Sequence, residues 1–427
     1  MDFIDNKKSK YKILLDTTKE EKRLDMHSFH RYYGKLIPAI PRAFIREFTR
    51  EGDLIFDPFS GSGTVALEAK YANRNFAGVE INPLSILIGE IKVAEYDIAK
   101  LNEIYEKIVA EIEKDFGEIS EKEVPFCVNR DHWFKDFVQK DLIRIQRNIG
   151  TCINQCVEES ERTKYIKFFT GVLSAIVKQV SNADTMHVFP GISKRMRRLE
   201  SEGKIHIDVI ETFKRGCKKR INYVKEVGNK NSTQEFILGN SASIDLSRFY
   251  NKVDLVVTNP PYISSVRYAE TLKLELYWMG VVKNSKEYSD LANTMIGNDH
   301  ISRANFKNKV ITKYEFINHY IETMFEIDQK QARVIYEFFD NMEKVIINMY
   351  KILKHGAKMV MKISDSKIRK VKIPTGMLLT KIAEKNGFKL VDVFNDKINE
   401  NSRSLLTSRN TYSDIILEDN IIIWEKI

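Results

Sequence analysis

The sequence contains few cysteines and no long apolar run. Four cysteines occur among 427 residues and none belongs to a Cys-x-x-Cys pair, so we expect a reducing compartment. Cys152 and Cys156 lie one helical turn apart, but nothing completes a tetrahedral set, and we expect no metal site. Runs of about 18 apolar residues and the apolar stretch of a signal peptide are both absent. We therefore expect a cytoplasmic protein that does not contact a membrane.

The sequence also lacks the Gly-Lys-Ser/Thr of a P-loop, but it has another glycine-rich turn. Residues 54 to 56 form a short apolar run that ends at Asp57 and Pro58. Gly61 and Gly63 then allow a tight turn close to a ligand, and a helix-compatible run begins at Thr64. This order predicts a buried strand, a ligand-binding loop and a helix whose first N–H groups face the ligand.

An acid follows this loop at a distance typical of adenosine sites. Glu80 closes a second apolar run seventeen residues after Gly63, where a carboxylate can accept hydrogen bonds from both ribose hydroxyls. The spacing Gly-x-Gly-x-x-Ala also fits a dinucleotide-binding loop. The loop therefore predicts a cofactor that contains adenosine, but it does not show whether this cofactor is a dinucleotide.

Strand and helix patterns alternate on both sides of a long helical region. They predict an α/β fold with a doubly wound, mostly parallel sheet, in which ligands bind at the carboxyl ends of the strands. We assign residues 26–93 and 235–427 to this catalytic domain. Residues 94–234 form a large helical insertion, and residues 1–25 are expected to be a mobile or loosely docked arm.

Positive charge is concentrated inside the insertion. The chain has a net charge of +9, and residues 194 to 230 contain 12 lysines and arginines against 5 acids. A solvated helix face would also explain such a run. A polyanionic partner is the functional interpretation. The candidate contact residues are Lys194, Arg195, Arg197, Arg198, Lys218, Lys219 and Arg220.

A rigid turn follows the apolar strand predicted over residues 253 to 258. Its sequence is Asn259-Pro260-Pro261-Tyr262, in which two prolines remove two backbone donors and leave carbonyl groups exposed. The Asn259 side chain and the Pro260 carbonyl can accept hydrogen bonds from an amino group on a planar base, and the Tyr262 ring can stack on it. Two such acceptors make a conjugated amino nitrogen nucleophilic towards a sulfonium methyl group.

These motifs resemble those of the amino-group DNA methyltransferases, which carry Asp/Asn/Ser-Pro-Pro-Tyr/Phe/Trp and a loop of the form Asp-Pro-Phe-x-Gly-x-Gly-Thr. The resemblance covers most of the chain outside the insertion. It implies a Rossmann-like class I methyltransferase fold and S-adenosyl-L-methionine as cofactor. The implied catalytic residues are Asn259, Pro260, Pro261 and Tyr262. The implied cofactor-binding residues are Tyr33, Lys35, Asp57, Phe59, Gly61, Gly63, Thr64, Glu80, Asn82 and Asn240.

The chain departs from the family pattern in two places. Relatives often have an acid after the strand that precedes the catalytic motif, whereas this chain has Gly239 and Asn240. The insertion and the polar segment from about residue 281 to 330 carry no motif of the family. One or both are expected to recognise DNA.

We therefore predict a site-specific methyltransferase that acts on a base flipped out of double-stranded DNA. Asparagine at the first motif position resembles adenine-N6 enzymes more often, which favours adenine over cytosine N4. Methylation of RNA or of a glutamine amide, and a non-catalytic DNA-recognition subunit, remain alternatives. Family analogy suggests a restriction-modification or defence partner and a location at the nucleoid of a prokaryote.

Overall fold

A computed structural model describes residues 9–228, 230–263, 267–297, 308–397 and 418–427. Its central sheet has the strand order β3-β2-β1-β4-β5-β9-β8. The strands are β1 Leu54–Asp57, β2 Asn75–Glu80, β3 Gln234–Leu238, β4 Val253–Thr258, β5 Leu353–Ile363, β8 Phe388–Lys397 and β9 Glu418–Lys426. A separate hairpin joins β6 Ser366–Ile368 to β7 Val371–Ile373.

The sheet is parallel except around β9. Strands β1 to β5 pair in parallel, whereas β9 is antiparallel to both β5 and β8. Strand β1 lies between β2 and β4, so the chain leaves β1 towards one side and returns to β4 on the other. That reversal opens a crevice at the carboxyl ends of β1 and β4, where doubly wound sheets bind ligands. The predicted fold class is confirmed.

Helices cover both faces of the sheet because its central strands are apolar on both faces. Ile55 and Leu255 face one layer, and their neighbours Phe56 and Val256 face the other. The first layer contains α1 Lys10–Lys19, α2 Ala39–Phe48 and α3 Thr64–Tyr71. The second contains α14 Glu315–Ile327, α15 Gln329–Ile352 and α16 Thr375–Lys385.

A third core lies in the helical insertion. It is formed by α5 Ile98–Lys114, α7 Asp136–Cys156, α8 Glu159–Val180 and α10 Val209–Val224, with the short α6 Arg130–Trp133 and α9 Lys194–Ser201 between them. The same core includes residues of α4 Pro83–Val93 and α12 Lys273–Trp278. The insertion therefore packs directly on the α/β part. Helix α11 Tyr268–Thr271 precedes α12 in the chain, and α13 Ser285–Thr294 follows it.

The amino-terminal segment differs from the loosely docked arm that we expected. Residues 10 to 19 form α1, whose side chains Tyr11 and Leu15 are buried against α2. Ser9 donates a 2.6 Å hydrogen bond to Asp392, and Lys19 pairs with Asp396. These contacts reach a strand almost four hundred residues away, which a local sequence pattern does not reveal. Within the described residues, no helix is long and apolar enough to span a membrane.

Candidate active site

The loop after β1 is shaped by two glycines. Gly61 and Gly63 have φ values of +50° and +74°, a region that other residues rarely adopt. A Cβ on Gly63 would also lie 2.8 Å from the Cα of Gly89, so α4 can approach this closely only at a glycine. Helix α3 begins at Thr64, immediately after this turn. The loop thus presents backbone N–H groups at the carboxyl edge of the sheet.

Glu80 holds this loop from the neighbouring strand. One carboxylate oxygen accepts a 2.9 Å hydrogen bond from the Gly61 N–H, and the other accepts a 2.9 Å bond from the Asn82 N–H. The Asn82 side chain in turn caps α4 by accepting from the Leu84 N–H at 3.0 Å. Burial raises the pKa of Glu80. Each carboxylate oxygen has a second lone pair, so the group can still accept from ribose hydroxyls.

Asp57 lies behind the loop. It is buried, and one of its carboxylate oxygens accepts hydrogen bonds from the Thr258 hydroxyl at 2.7 Å and the Phe59 N–H at 2.9 Å. Burial raises its pKa to about 7, although these hydrogen bonds act in the opposite direction. The residue therefore joins the end of β1 to the end of β4.

The turn after β4 is fixed by the side chain of its first residue. Asn259 donates a 3.0 Å hydrogen bond from Nδ2 to the Gly34 carbonyl, which directs its Oδ1 atom the other way. That oxygen lies 3.2 Å from the Tyr262 hydroxyl. Tyr262 also contacts Asp419 at 2.9 Å and Lys362 at 3.0 Å, and burial raises its pKa to about 12. At neutral pH Tyr262 therefore remains a phenol.

The glycine loop after β1 and the turn after β4 line one pocket. Four of the predicted cofactor residues, Phe59, Gly61, Glu80 and Asn240, lie in its wall together with Asn259 and Pro261. A carboxylate beside a glycine turn fits S-adenosyl-L-methionine, because Glu80 can accept hydrogen bonds from the ribose hydroxyls of this cofactor. The remaining wall residues are Tyr32, Gly34, Pro58, Val79, Ile81, Gly239, Ser241, Tyr268, Thr294, Met295 and Ile296.

Other predicted residues support the pocket from outside its wall. Lys35 donates to the carbonyls of His27 and His30 at 2.8 and 2.7 Å, and burial lowers its pKa to about 8. The Tyr33 hydroxyl donates to the His187 carbonyl at 3.2 Å. Both therefore shape the loop that carries Tyr32 and Gly34. Predicted residues that are likewise outside the wall are Asp57, Gly63, Thr64, Asn82, Pro260 and Tyr262.

Sequence reasoning missed several wall residues. Tyr32 lies in the aromatic cluster next to Tyr33, so the cluster indicated the region but not the residue. Tyr268 is placed by Gly34, where a Cβ would lie 2.9 Å from the tyrosine ring. Thr294, Met295 and Ile296 belong to the polar segment in which we found no motif. Their position depends on tertiary packing and had no sequence signal.

The basic residues of the insertion separate into two groups. Lys194, Arg195, Arg197 and Arg198 on α9, and Lys218 and Lys219 on α10, are exposed. Arg220 is buried instead: its guanidinium donates to the Phe29 carbonyl at 2.7 Å and to the Gly216 carbonyl at 3.1 Å. It is therefore not a surface contact, because its side chain is buried and donates to backbone carbonyls in the core.

Comparisons with known proteins find DNA methyltransferases. The model of a family described as DNA methylase matches residues 6–88. Type II methyltransferase M.MvaI of Kocuria varians is 25% identical over 392 residues, which cover 84% of this chain and 81% of the relative. Type II methyltransferase M.BsoBI of Geobacillus stearothermophilus is 25% identical over 459 residues, which cover 95% of this chain and 86% of the relative.

A solved structure, TrmN from Thermus thermophilus, aligns over 96% of this chain and 55% of its own, with 10% identity and a TM-score of 0.32. The strand order of the central sheet establishes the fold directly. The family model covers the cofactor loop and Glu80, and the two relatives align over most of the chain. Over most of its length the chain is similar to type II DNA methyltransferases, which supports an enzyme of the amino-group family that uses S-adenosyl-L-methionine as methyl donor.

Proposed function

We propose that this enzyme methylates the exocyclic amino nitrogen of one base, flipped out of double-stranded DNA at a specific site. The observation that carries the proposal is the pocket that Asn259 and Pro261 line together with Phe59, Gly61 and Glu80. A base inside a duplex cannot reach a pocket in a sheet crevice, so the target has to leave the stack.

The chemistry follows from the acceptors in the turn. The lone pair of an exocyclic amino group is conjugated with its ring and is a weak nucleophile. The Oδ1 atom of Asn259 and the Pro260 carbonyl can each accept a hydrogen bond from one N–H of that group. These two hydrogen bonds rotate the amino group towards a tetrahedral geometry. When bound, S-adenosyl-L-methionine would supply a sulfonium methyl group: an N–C bond would form as the S–C bond breaks, S-adenosyl-L-homocysteine would leave, and the nitrogen would release one proton to solvent. Alignment of the two reactants accounts for the rate.

Two side chains would hold the reactants, one for the flipped base and one for the cofactor. The Tyr262 ring offers a stacking face for the flipped base, because its hydroxyl is anchored at the edge of the sheet. Glu80 would accept hydrogen bonds from the ribose hydroxyls of the cofactor. Asp57 would act indirectly by holding Phe59 and Thr258 in place.

We assign the target as adenine N6, with cytosine N4 as the alternative. Both bases carry an amino group from which Asn259 and Pro260 can accept hydrogen bonds. The preference for adenine rests on asparagine at the first position of the motif.

A basic surface near the pocket is a candidate for DNA binding. Helix α9 is held by Arg195, which contacts the buried Asp184 at 2.8 Å. The loop after Asp184 accepts hydrogen bonds from Arg31, through the Thr185 carbonyl, and from Tyr33, through the His187 carbonyl. Since Gly34 contacts Asn259, a short chain of contacts leads from α9 to the catalytic turn. We therefore propose that α9 binds the DNA backbone beside the flipped base.

The biological setting is proposed from the relatives. Both are type II methyltransferases, a class that accompanies restriction enzymes. We propose that this enzyme protects host DNA within a restriction-modification system, in the cytoplasm of a prokaryote and at its nucleoid.

The test is to incubate the purified enzyme with labelled S-adenosyl-L-methionine and with separate pools of double-stranded DNA, RNA and protein. We expect label in DNA alone, and digestion to nucleosides should yield N6-methyladenosine in its deoxy form. N4-methylcytosine would change the base but keep the mechanism. Label in RNA or in glutamine side chains would overturn the proposed substrate.

A further inference from the structure

A buried polar network lies directly behind the catalytic turn. Lys362 lies at the end of β5, Ser364 directly follows that strand, and Asp419 lies at the start of β9. Lys362 Nζ lies 2.5 Å from Asp419, and the Ser364 hydroxyl donates to the same carboxylate. The residues are 8%, 0% and 3% exposed, respectively.

Such a network is costly to bury. Desolvation of two charges usually offsets most of their attraction, so an ion pair of this kind adds little stability compared with apolar side chains. Both charged groups contact the Tyr262 hydroxyl, with Asp419 at 2.9 Å and Lys362 at 3.0 Å. This placement connects the network to the catalytic turn.

The Tyr262 hydroxyl has one proton, and among its contacts in the described part of the chain Asp419 and Asn259 both can accept it. The ammonium group of Lys362 can only donate, so the phenol oxygen accepts from it. Burial alone would lower the pKa of Lys362, but Tyr262 and Asp419 raise it, which keeps the group charged. The phenol proton can go to Asp419 at 2.9 Å or to Asn259 Oδ1 at 3.2 Å. The shorter contact, to a charged acceptor, is the stronger one.

We propose that Asp419, held by Lys362 and Ser364, is a positioning residue that takes the Tyr262 hydroxyl proton and thereby keeps Asn259 Oδ1 available for the target amino group. This inference rests on the proposed function. It assigns the network a role in the reaction, although none of its three residues belongs to the pocket wall.

Loss of Asp419 would turn the phenol towards Asn259. The Asn259 amide cannot rotate away, because its Nδ2 donates to the Gly34 carbonyl. A hydrogen bond from Tyr262 would then occupy one of the two lone pairs on Oδ1 and weaken it as an acceptor for the substrate. Removal of the Tyr262 hydroxyl should therefore correct the defect, whereas damage to the fold would not be corrected in this way.

The experiment compares Asp419→Ala with and without Tyr262→Phe in the full-length enzyme. Asp419→Ala leaves Lys362 buried without a counter-charge and can fail to fold. The pair Lys362→Met with Asp419→Ala removes both charges and is tested in the same two backgrounds. Asp365→Ala is the control, since Asp365 lies at the same sheet edge and accepts from Gly376 and Asn420. Steady-state kcat on DNA and calorimetric cofactor affinity are measured for each variant.

We expect loss of Asp419 to lower kcat by about tenfold, with cofactor affinity unchanged, as for loss of one hydrogen bond to the substrate. Adding Tyr262→Phe should restore kcat to the level of Tyr262→Phe alone, and it should not raise kcat in the Asp365→Ala control. Independent, multiplicative losses would overturn the inference. Wild-type enzyme without activity on DNA would instead refute the proposed function.

Discussion

The Thr258 hydroxyl donates a 2.7 Å hydrogen bond to the buried carboxylate of Asp57, and this contact joins the last residues of β4 and β1. The same carboxylate oxygen accepts from the Phe59 N–H. Because Asn259 follows Thr258 directly, the cofactor loop and the catalytic turn share one anchor. Asp57 therefore connects the loop after β1 to the residue that precedes Asn259.

Asp57→Asn should remove a pH dependence of cofactor binding. Burial raises the Asp57 pKa to about 7, so the wild-type carboxyl gains negative charge as pH rises through that value. A negative charge behind the loop attracts the sulfonium cation, and we expect affinity measured by calorimetry to rise between about pH 6 and pH 8. The variant should bind more weakly at high pH, with a flat profile. An unchanged profile would contradict this role of Asp57.

Asp57→Asn should raise the stability of the protein at high pH, although it lowers the affinity for the cofactor there. The pKa of Asp57 is raised from 3.8 to about 7 in the folded protein. The proton on Asp57 therefore stabilises the fold fully below the pKa of the unfolded state, and this stabilisation is lost as pH rises through the pKa of the folded state. An uncharged asparagine avoids this loss, so the melting temperature at about pH 8 should rise by a few degrees. Asp53→Asn, at the opposite end of β1, is the control and should show neither effect.

Gly34→Ala should impair both halves of the site. Its φ is +75°, and an added Cβ would lie 2.9 Å from the Tyr268 ring in the pocket wall. Movement of either group disturbs the carbonyl that orients Asn259, and we expect kcat/KM to fall by about tenfold or more. Gly52→Ala is matched for backbone strain, with a φ of +84° and open space around it. Equal effects of the two variants on activity at equal stability would exclude a specific role for Gly34.

Arg197→Ala with Arg198→Ala should weaken DNA binding without affecting the cofactor. Removing one side chain that pairs with a phosphate makes the slope of log affinity against log salt shallower by about 0.9, so the double variant should change it by about 2. Lys351→Ala with Lys385→Ala is the control, because these exposed lysines end α15 and α16 at the opposite edge of the sheet. Fluorescence anisotropy over a salt series measures both. An unchanged slope in the α9 variant would remove that helix from the DNA contact surface.

Arg220→Ala should act on stability instead. Its guanidinium donates to the buried carbonyls of Phe29 and Gly216, and losing these bonds should cost about 1–3 kcal/mol of unfolding free energy. Lys219→Ala, its exposed neighbour on α10, should leave stability unchanged. Chemical denaturation measures both. A stable Arg220→Ala variant with reduced DNA affinity would restore the surface role that the sequence suggested.

Local patterns predicted what depends on local chemistry. Three features could be anticipated because their properties depend on their own backbone and charge. They are the glycine turn at Gly61, the acid at Glu80 and the prolines after Thr258. Arg220 lies in a run of basic residues, and only packing of α10 against Phe29 shows that it is buried. Asp419 and Lys362 are distant in sequence and meet only because β9 pairs with β5. Such contacts require the tertiary structure.

The most direct measurement of the central claim is methylation by Asn259→Ala, with Asn240→Ala as an asparagine control in the same pocket. The account predicts that Asn259→Ala binds S-adenosyl-L-methionine with wild-type affinity by calorimetry, yet transfers methyl groups to DNA at least about a hundredfold more slowly. Asn240→Ala should instead weaken cofactor binding and leave kcat at saturation nearly intact. Full methylation by Asn259→Ala, measured by nucleoside mass spectrometry, would contradict the assigned mechanism.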